Sequence, residues 1–89
     1  MTVTPQVTQI RALVARVFQE LGVAVRRPKD VQETVLLDRR RCVARSYRSG
    51  GLLAMWLLAA GVIQFYDVDG TMLRSINLFQ EARPHRMAA

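Results

Sequence analysis

The chain has 89 residues, 51% of them hydrophobic and 22% charged, which allows one domain with a modest core and argues against disorder. A formal charge of +6, carried by twelve arginines and one lysine, permits an anionic partner without requiring one, since a GC-rich genome also favours Arg over Lys. A lone cysteine, Cys42, excludes an internal disulfide, and a lone histidine, His85, leaves no zinc site and no Cys/His dyad.

Thr4 suits a helix N-cap and Pro5 the first helical position. Apolar residues then recur at Val7, Ile10, Leu13, Val14, Val17, Phe18 and Leu21, opposite Gln9, Arg16, Gln19 and Glu20. That spacing predicts an amphipathic helix over residues 5–21, ended by a left-handed Gly22, with Arg11 and Arg16 in solvent. Residues 23–30 include Arg26, Arg27, Pro28, Lys29 and Asp30 and read as an exposed connector.

From Val31 onward, short runs alternate with turn residues and predict strands over about 31–37, 41–48, 52–59, 62–67 and 71–79. In the first run Val31, Val35 and Leu37 share a side opposite Gln32 and Thr34. In the second, the small Cys42, Ala44 and Ser46 are expected to face the helix, with Val43, Arg45 and Tyr47 pointing away. Cys42 is then core material, not a nucleophile. Residues 52–60 are wholly apolar, and their Leu, Ala and Met content favours helix. The run is short and bracketed by glycines, so we read a central strand, with a helix as the alternative. Its two sides are Leu53, Met55 and Leu57, and Leu52, Trp56 and Leu58. Trp56, Phe65 and Tyr66 are expected in the core. Residues 80–89 contain Pro84, show no apolar period and read as a flexible tail. The fold class is α+β: one N-terminal amphipathic helix packed on a small antiparallel β-meander of about five strands, as a single domain.

Residues 62–73 read Val-Ile-Gln-Phe-Tyr-Asp-Val-Asp-Gly-Thr-Met-Leu. An apolar run entering Asp-x-Asp-Gly-Thr resembles the first motif of the haloacid dehalogenase superfamily. The resemblance implies Asp67 as nucleophile, Asp69 as acid/base and Mg²⁺ held between carboxylates, in a large α/β domain. The family's later Ser/Thr, Lys and acid pair have no counterpart here. Eighteen residues follow Thr71, the sole lysine, Lys29, lies upstream, and the only later acid is Glu81. Nothing would then neutralise the transferring phosphoryl group. The same residues form a complete hairpin: a type I turn capped by the Asp67 side chain and followed by a left-handed Gly70. The hairpin is the reading we adopt. A calcium loop fails, because the EF-hand glycine at position six and glutamate at twelve are missing.

No nucleophile, base and oxyanion donors can be assembled, so no catalytic residue, metal or cofactor is expected. The longest apolar stretch, residues 52–63, falls short of the roughly 20 residues of a spanning helix, and no signal peptide is evident. The expectation is a soluble, cytoplasmic chain with no membrane partner. One helix covers one face of a sheet, and a second apolar face asks for a partner; a homodimer through the sheet meets that need. The expected function is a non-catalytic protein-interaction module that self-associates, with its other protein partners unknown. The alternative is a nucleic-acid-binding module using the arginine-rich hairpin of residues 39–48. Arg39, Arg40, Arg41, Arg45 and Arg48 would take phosphates there and Tyr47 would stack on a base. Charged hairpins also protect sheet edges, and strand arginines also pair with acids across a sheet.

Overall fold

The computed structural model describes residues 6–27 and 30–78. Helix α1 (Val7–Glu20) is followed by strands β1 (Gln32–Asp38), β2 (Arg41–Ser49), β3 (Leu52–Leu57), β4 (Val62–Tyr66) and β5 (Met72–Asn77). Every neighbouring pair is antiparallel and the order is sequential, so the fold is α+β, a helix on a five-stranded meander. Short turns between strands enforce this order, because a tight turn returns the chain beside the strand it has just left.

The helix starts later than the Thr4-Pro5 signal implied. Gln6 is its N-cap, and the Gln9 side chain reaches back to accept from the Gln6 N–H at 3.1 Å. Thr4 and Pro5 lie outside the described residues, as do Pro28, Lys29 and the tail with His85. The other end follows the expectation. Gly22 has φ +101°, Val23 N–H bonds Phe18 O at 2.9 Å and Gly22 N–H bonds Gln19 O at 3.1 Å, the paired closure of a Schellman motif. Ile10, Val14, Val17 and Phe18 are buried against the sheet. There they meet Tyr47, Ala54, Trp56, Ile63 and Phe65, with Phe18 and Phe65 edge-on at 5.9 Å.

Residues 52–57 are a strand, and β3 is the middle strand of the sheet. Pairing with both β2 and β4 satisfies its backbone on both edges, so tertiary context overrides the helix preference of Leu, Ala and Met. Trp56 and Phe65 are core residues, whereas Tyr66 is half-buried on the opposite face. At residues 67–70 the hairpin forms as read. Gly70 N–H bonds Asp67 O at 3.0 Å, Asp67 Oδ1 accepts from the Asp69 and Thr71 N–H groups at 2.9 Å each, and Gly70 has φ +83°.

One expectation is reversed. In β2 the side facing the helix is the one with Arg45 and Tyr47, not the one with Ala44 and Ser46. Tyr47 is only 1% exposed and belongs to the core around α1. Alternation alone cannot say which side of a strand faces inward. Burying a tyrosine ring removes far more apolar surface from water than burying Ala and Ser. Ala44 and Ser46 are themselves covered, flanked in register by the larger Leu36, Leu57 and Met55. Cys42 is half-buried, with its thiol 3.6 Å from Ala44 O.

Candidate functional site

The strand register sorts the proposed arginine set into three places. At the base of the β1–β2 hairpin, Glu33 is opposite Tyr47 and Val35 is opposite Arg45, all on the helix side. Glu33 gathers charge from two elements. Its Oε1 accepts from Arg11 Nη2 at 2.5 Å and Nε at 3.2 Å, and its Oε2 accepts from Arg45 Nη1 at 3.3 Å. Arg11 is therefore not simply solvated: it ties α1 to β1 directly and, through Glu33, to Arg45 of β2. Burial pushes the Glu33 carboxyl upward, but hydrogen bonding to Arg11, the nearby Tyr47 hydroxyl and the charges of Arg11 and Arg45 outweigh it, and the net shift is down. The Tyr47 phenol is pushed up, first by burial and then by the adjacent Glu33 carboxylate. Its hydroxyl faces Glu33 without reaching hydrogen-bond geometry, and Arg45 Nε and Trp56 Nε1 are likewise buried without a partner.

The second place is the hairpin tip. Arg39 and Arg40 form a two-residue turn with φ +52° and +67°, and Arg41 opens β2 opposite Asp38. All three are exposed, and among the described residues none of them forms an ion pair. The third place is the open face of the sheet, where Arg48 lies between Gln32 and Leu53. Arg45 and Tyr47 are thus separated from the other four candidates by the thickness of the sheet or the length of the hairpin.

The open face is a lattice of cross-strand rows. Gln32, Arg48, Leu53 and Tyr66 form one row; Thr34, Ser46, Met55, Gln64 and Ser75 the next; Leu36, Ala44, Leu57, Val62 and Asn77 the third. Leu53, Met55 and Leu57, a single column along β3, are half-buried and absent from the core cluster around α1. Arg48 is the only charged residue in these rows. Between the turn at residues 49–52 and the turn at residues 67–70, the face dips into a cleft of about 810 Å³. Leu53 and Met55 line it together with Arg48, Gln32 and Tyr66. The Tyr66 hydroxyl is occupied, donating to Gln64 Oε1 at 2.7 Å.

In the Asp67 turn, one carboxylate oxygen of Asp67 is committed to two backbone N–H groups. Among the described residues no group of three or more His, Cys, Asp or Glu side chains is placed to hold a metal ion. None of their helices is long and apolar enough to cross a membrane. Comparison with protein-family models, curated proteins and solved structures found no match.

Sequence reasoning missed Glu33 as the residue linking α1 to β1 and β2. A signal was present: Glu33 is the only acid in the interior of β1, opposite a strand that carries Arg41, Arg45 and Arg48. Writing the two strands in antiparallel register would have placed Glu33 one step from Arg45.

Proposed function

We propose that this protein is a non-catalytic interaction module that self-associates through the open face of its sheet. The observation that carries this reading is the column Leu53, Met55 and Leu57 in the middle of a nearly uncharged face that no described element covers. At strand spacings of about 4.8 Å and row spacings of about 7 Å, five strands and three rows give a flat footprint of roughly 500 Å². The footprint is about half apolar by residue, so its apolar part comes close to the lower end of the roughly 300–600 Å² of the largest apolar patches that monomers leave exposed, which are often functional. Side-chain relief brings the whole footprint toward the roughly 800 Å² per partner of a standard interface.

A second copy is the fitting occupant for two reasons. A two-fold axis through Met55 would lay each apolar column against its equivalent, with the polar uncharged Thr34, Gln64 and Ser75 around it. A chain of charge +6 also repels itself least where its arginines are absent, and this face carries one.

Sedimentation velocity across a concentration series tests the reading. The expected result is a dimer that persists when salt is raised, because apolar contacts are not screened. Met55→Glu would place two carboxylates against each other at the axis and yield monomers that still fold. A wild-type chain that stays monomeric at high concentration, or a dimer indifferent to Met55→Glu, would overturn it.

A further inference from the structure

The outer half of the β1–β2 hairpin is built unlike the rest of the molecule. Val35, Leu36, Leu37 and Val43 are 42%, 39%, 65% and 45% exposed, so this half of the ribbon lies outside the core. The register shifts between Leu36 and Leu37, leaving Val43 of β2 as the extra, unpaired residue, and this bulge re-aims the strands just before the tip. The tip itself is occupied by Arg39 and Arg40, both left-handed. Two-residue turns of this hand are normally served by Asn-Gly, because side chains with a Cβ are strained there. Strain kept at an exposed turn, in a residue pair that carries charge, is a mark of use. Arg41 adds a third guanidinium. Of the ten arginines in the described residues, Arg11, Arg16, Arg27, Arg45 and Arg74 are engaged by acids, whereas Arg26, Arg48 and the three at the tip are not, and only at the tip do three such residues stand together.

We infer that this tip is a contact site for double-stranded nucleic acid, with Arg39, Arg40 and Arg41 on backbone phosphates. A two-stranded ribbon about 10 Å across with its side chains fits the roughly 12 Å major groove of a duplex. The exposed aliphatic flanks at Leu37 and Val43 then rest on sugar edges and thymine methyls. Single strands are the poorer match. They are held by stacking on exposed aromatic rings, whereas Tyr47, the ribbon's one aromatic residue, is buried. An anionic lipid surface is also the poorer match. It is read by clusters of about four to eight basic residues and by interfacial Trp or Tyr, and the tip has three arginines and no aromatic residue. Phosphate contacts of this kind position a protein without reading sequence, so the binding is expected to be weak and sequence-tolerant.

The test measures fluorescence anisotropy of a short labelled mixed-sequence duplex, the matching single strand, and phosphatidylserine vesicles, each titrated with the full chain. Three phosphate contacts predict a slope of log K against log salt of about −2.7, or roughly 40-fold weaker duplex binding at 200 mM than at 50 mM salt. The informative variant is Arg39→Asn/Arg40→Gly. It removes two guanidiniums yet installs the residues the turn prefers, so it folds at least as well as the parent, which its melting temperature verifies. Its duplex binding should weaken at low salt, and its slope should fall to about −0.9, roughly 3.5-fold over the same range. The inference is overturned if the variant binds the duplex like the parent, if the single strand binds as well or better, if vesicles bind and the duplex does not, or if nothing binds at low salt.

Discussion

The two faces of this sheet are made by the same five strands and differ in what they ask of each side chain. On the helix side, Tyr47, Ala54, Trp56, Ile63 and Phe65 are fully buried, and the one acid, Glu33, is held by two arginines from different elements. On the open side, the residues between them in sequence, such as Leu53, Met55, Leu57 and Val62, are half-buried, and the single charge in the three cross-strand rows, Arg48, has no ion-pair partner among the described residues. A strand one residue out of phase would exchange the two sets, so the difference records a tertiary choice. The helix-side residues hold the monomer together. The open-side residues are available to hold something else.

The sharpest way to break this comparison is to truncate one residue from each face. Phe65→Ala removes a fully buried ring packed edge-on to Phe18 and should cost about 3–5 kcal/mol in chemical denaturation. Met55→Ala, measured where the chain is monomeric, should cost about 1 kcal/mol or less. Equal costs would mean that the open face is covered in the monomer.

Glu33→Gln comes next. It leaves Arg11 and Arg45 without their carboxylate, and Arg45 is only 21% exposed, so a loss of about 2 kcal/mol is expected. The pH dependence has a definite sign. The folded-state pKa of Glu33 is lowered, so its stabilising contribution is present above the ordinary carboxylate range and is lost as pH falls through the depressed folded value. Melting temperature followed into acid should therefore drop less steeply for Glu33→Gln than for the parent. Parallel curves would show that the cluster contributes nothing.

A cost comparable to that of Met55→Ala is expected at the turn that borders the open-face cleft. Gly70→Ala meets no neighbour within 4 Å but forces a side chain into φ +83°, so it should cost about 1 kcal/mol from backbone strain alone. Its oligomeric state should be that of the parent, and a change there would tie the turn to the interface.

Much of this is legible in the sequence. The helix period, its glycine stop, the five runs and the Asp67 turn depend on residues within about four positions of one another, where capping, turn chemistry and periodicity operate. The amphipathic stripe at Ile10, Val14, Val17 and Phe18 and the two sides of β3 follow from the same local rules. The sequence by itself also determined that one helix cannot cover both sides of a five-stranded sheet, which is a matter of area.

Only the tertiary structure decided which side of β2 meets the helix, and with that the fate of the candidate site. Local pattern treats Ala44 and Ser46, and Arg45 and Tyr47, as two equivalent alternating sets. The pairing of Glu33 with Tyr47, and the reach of Arg11 from a helix 22 residues earlier in the chain, break that equivalence. Burial of the tyrosine ring and closure of the Glu33 cluster act together across the core. Arg45 and Tyr47 are thereby committed to holding the fold, and Arg39, Arg40 and Arg41 remain at the tip in solvent. Contacts made between distant parts of the chain carry that decision, and no window of sequence contains them.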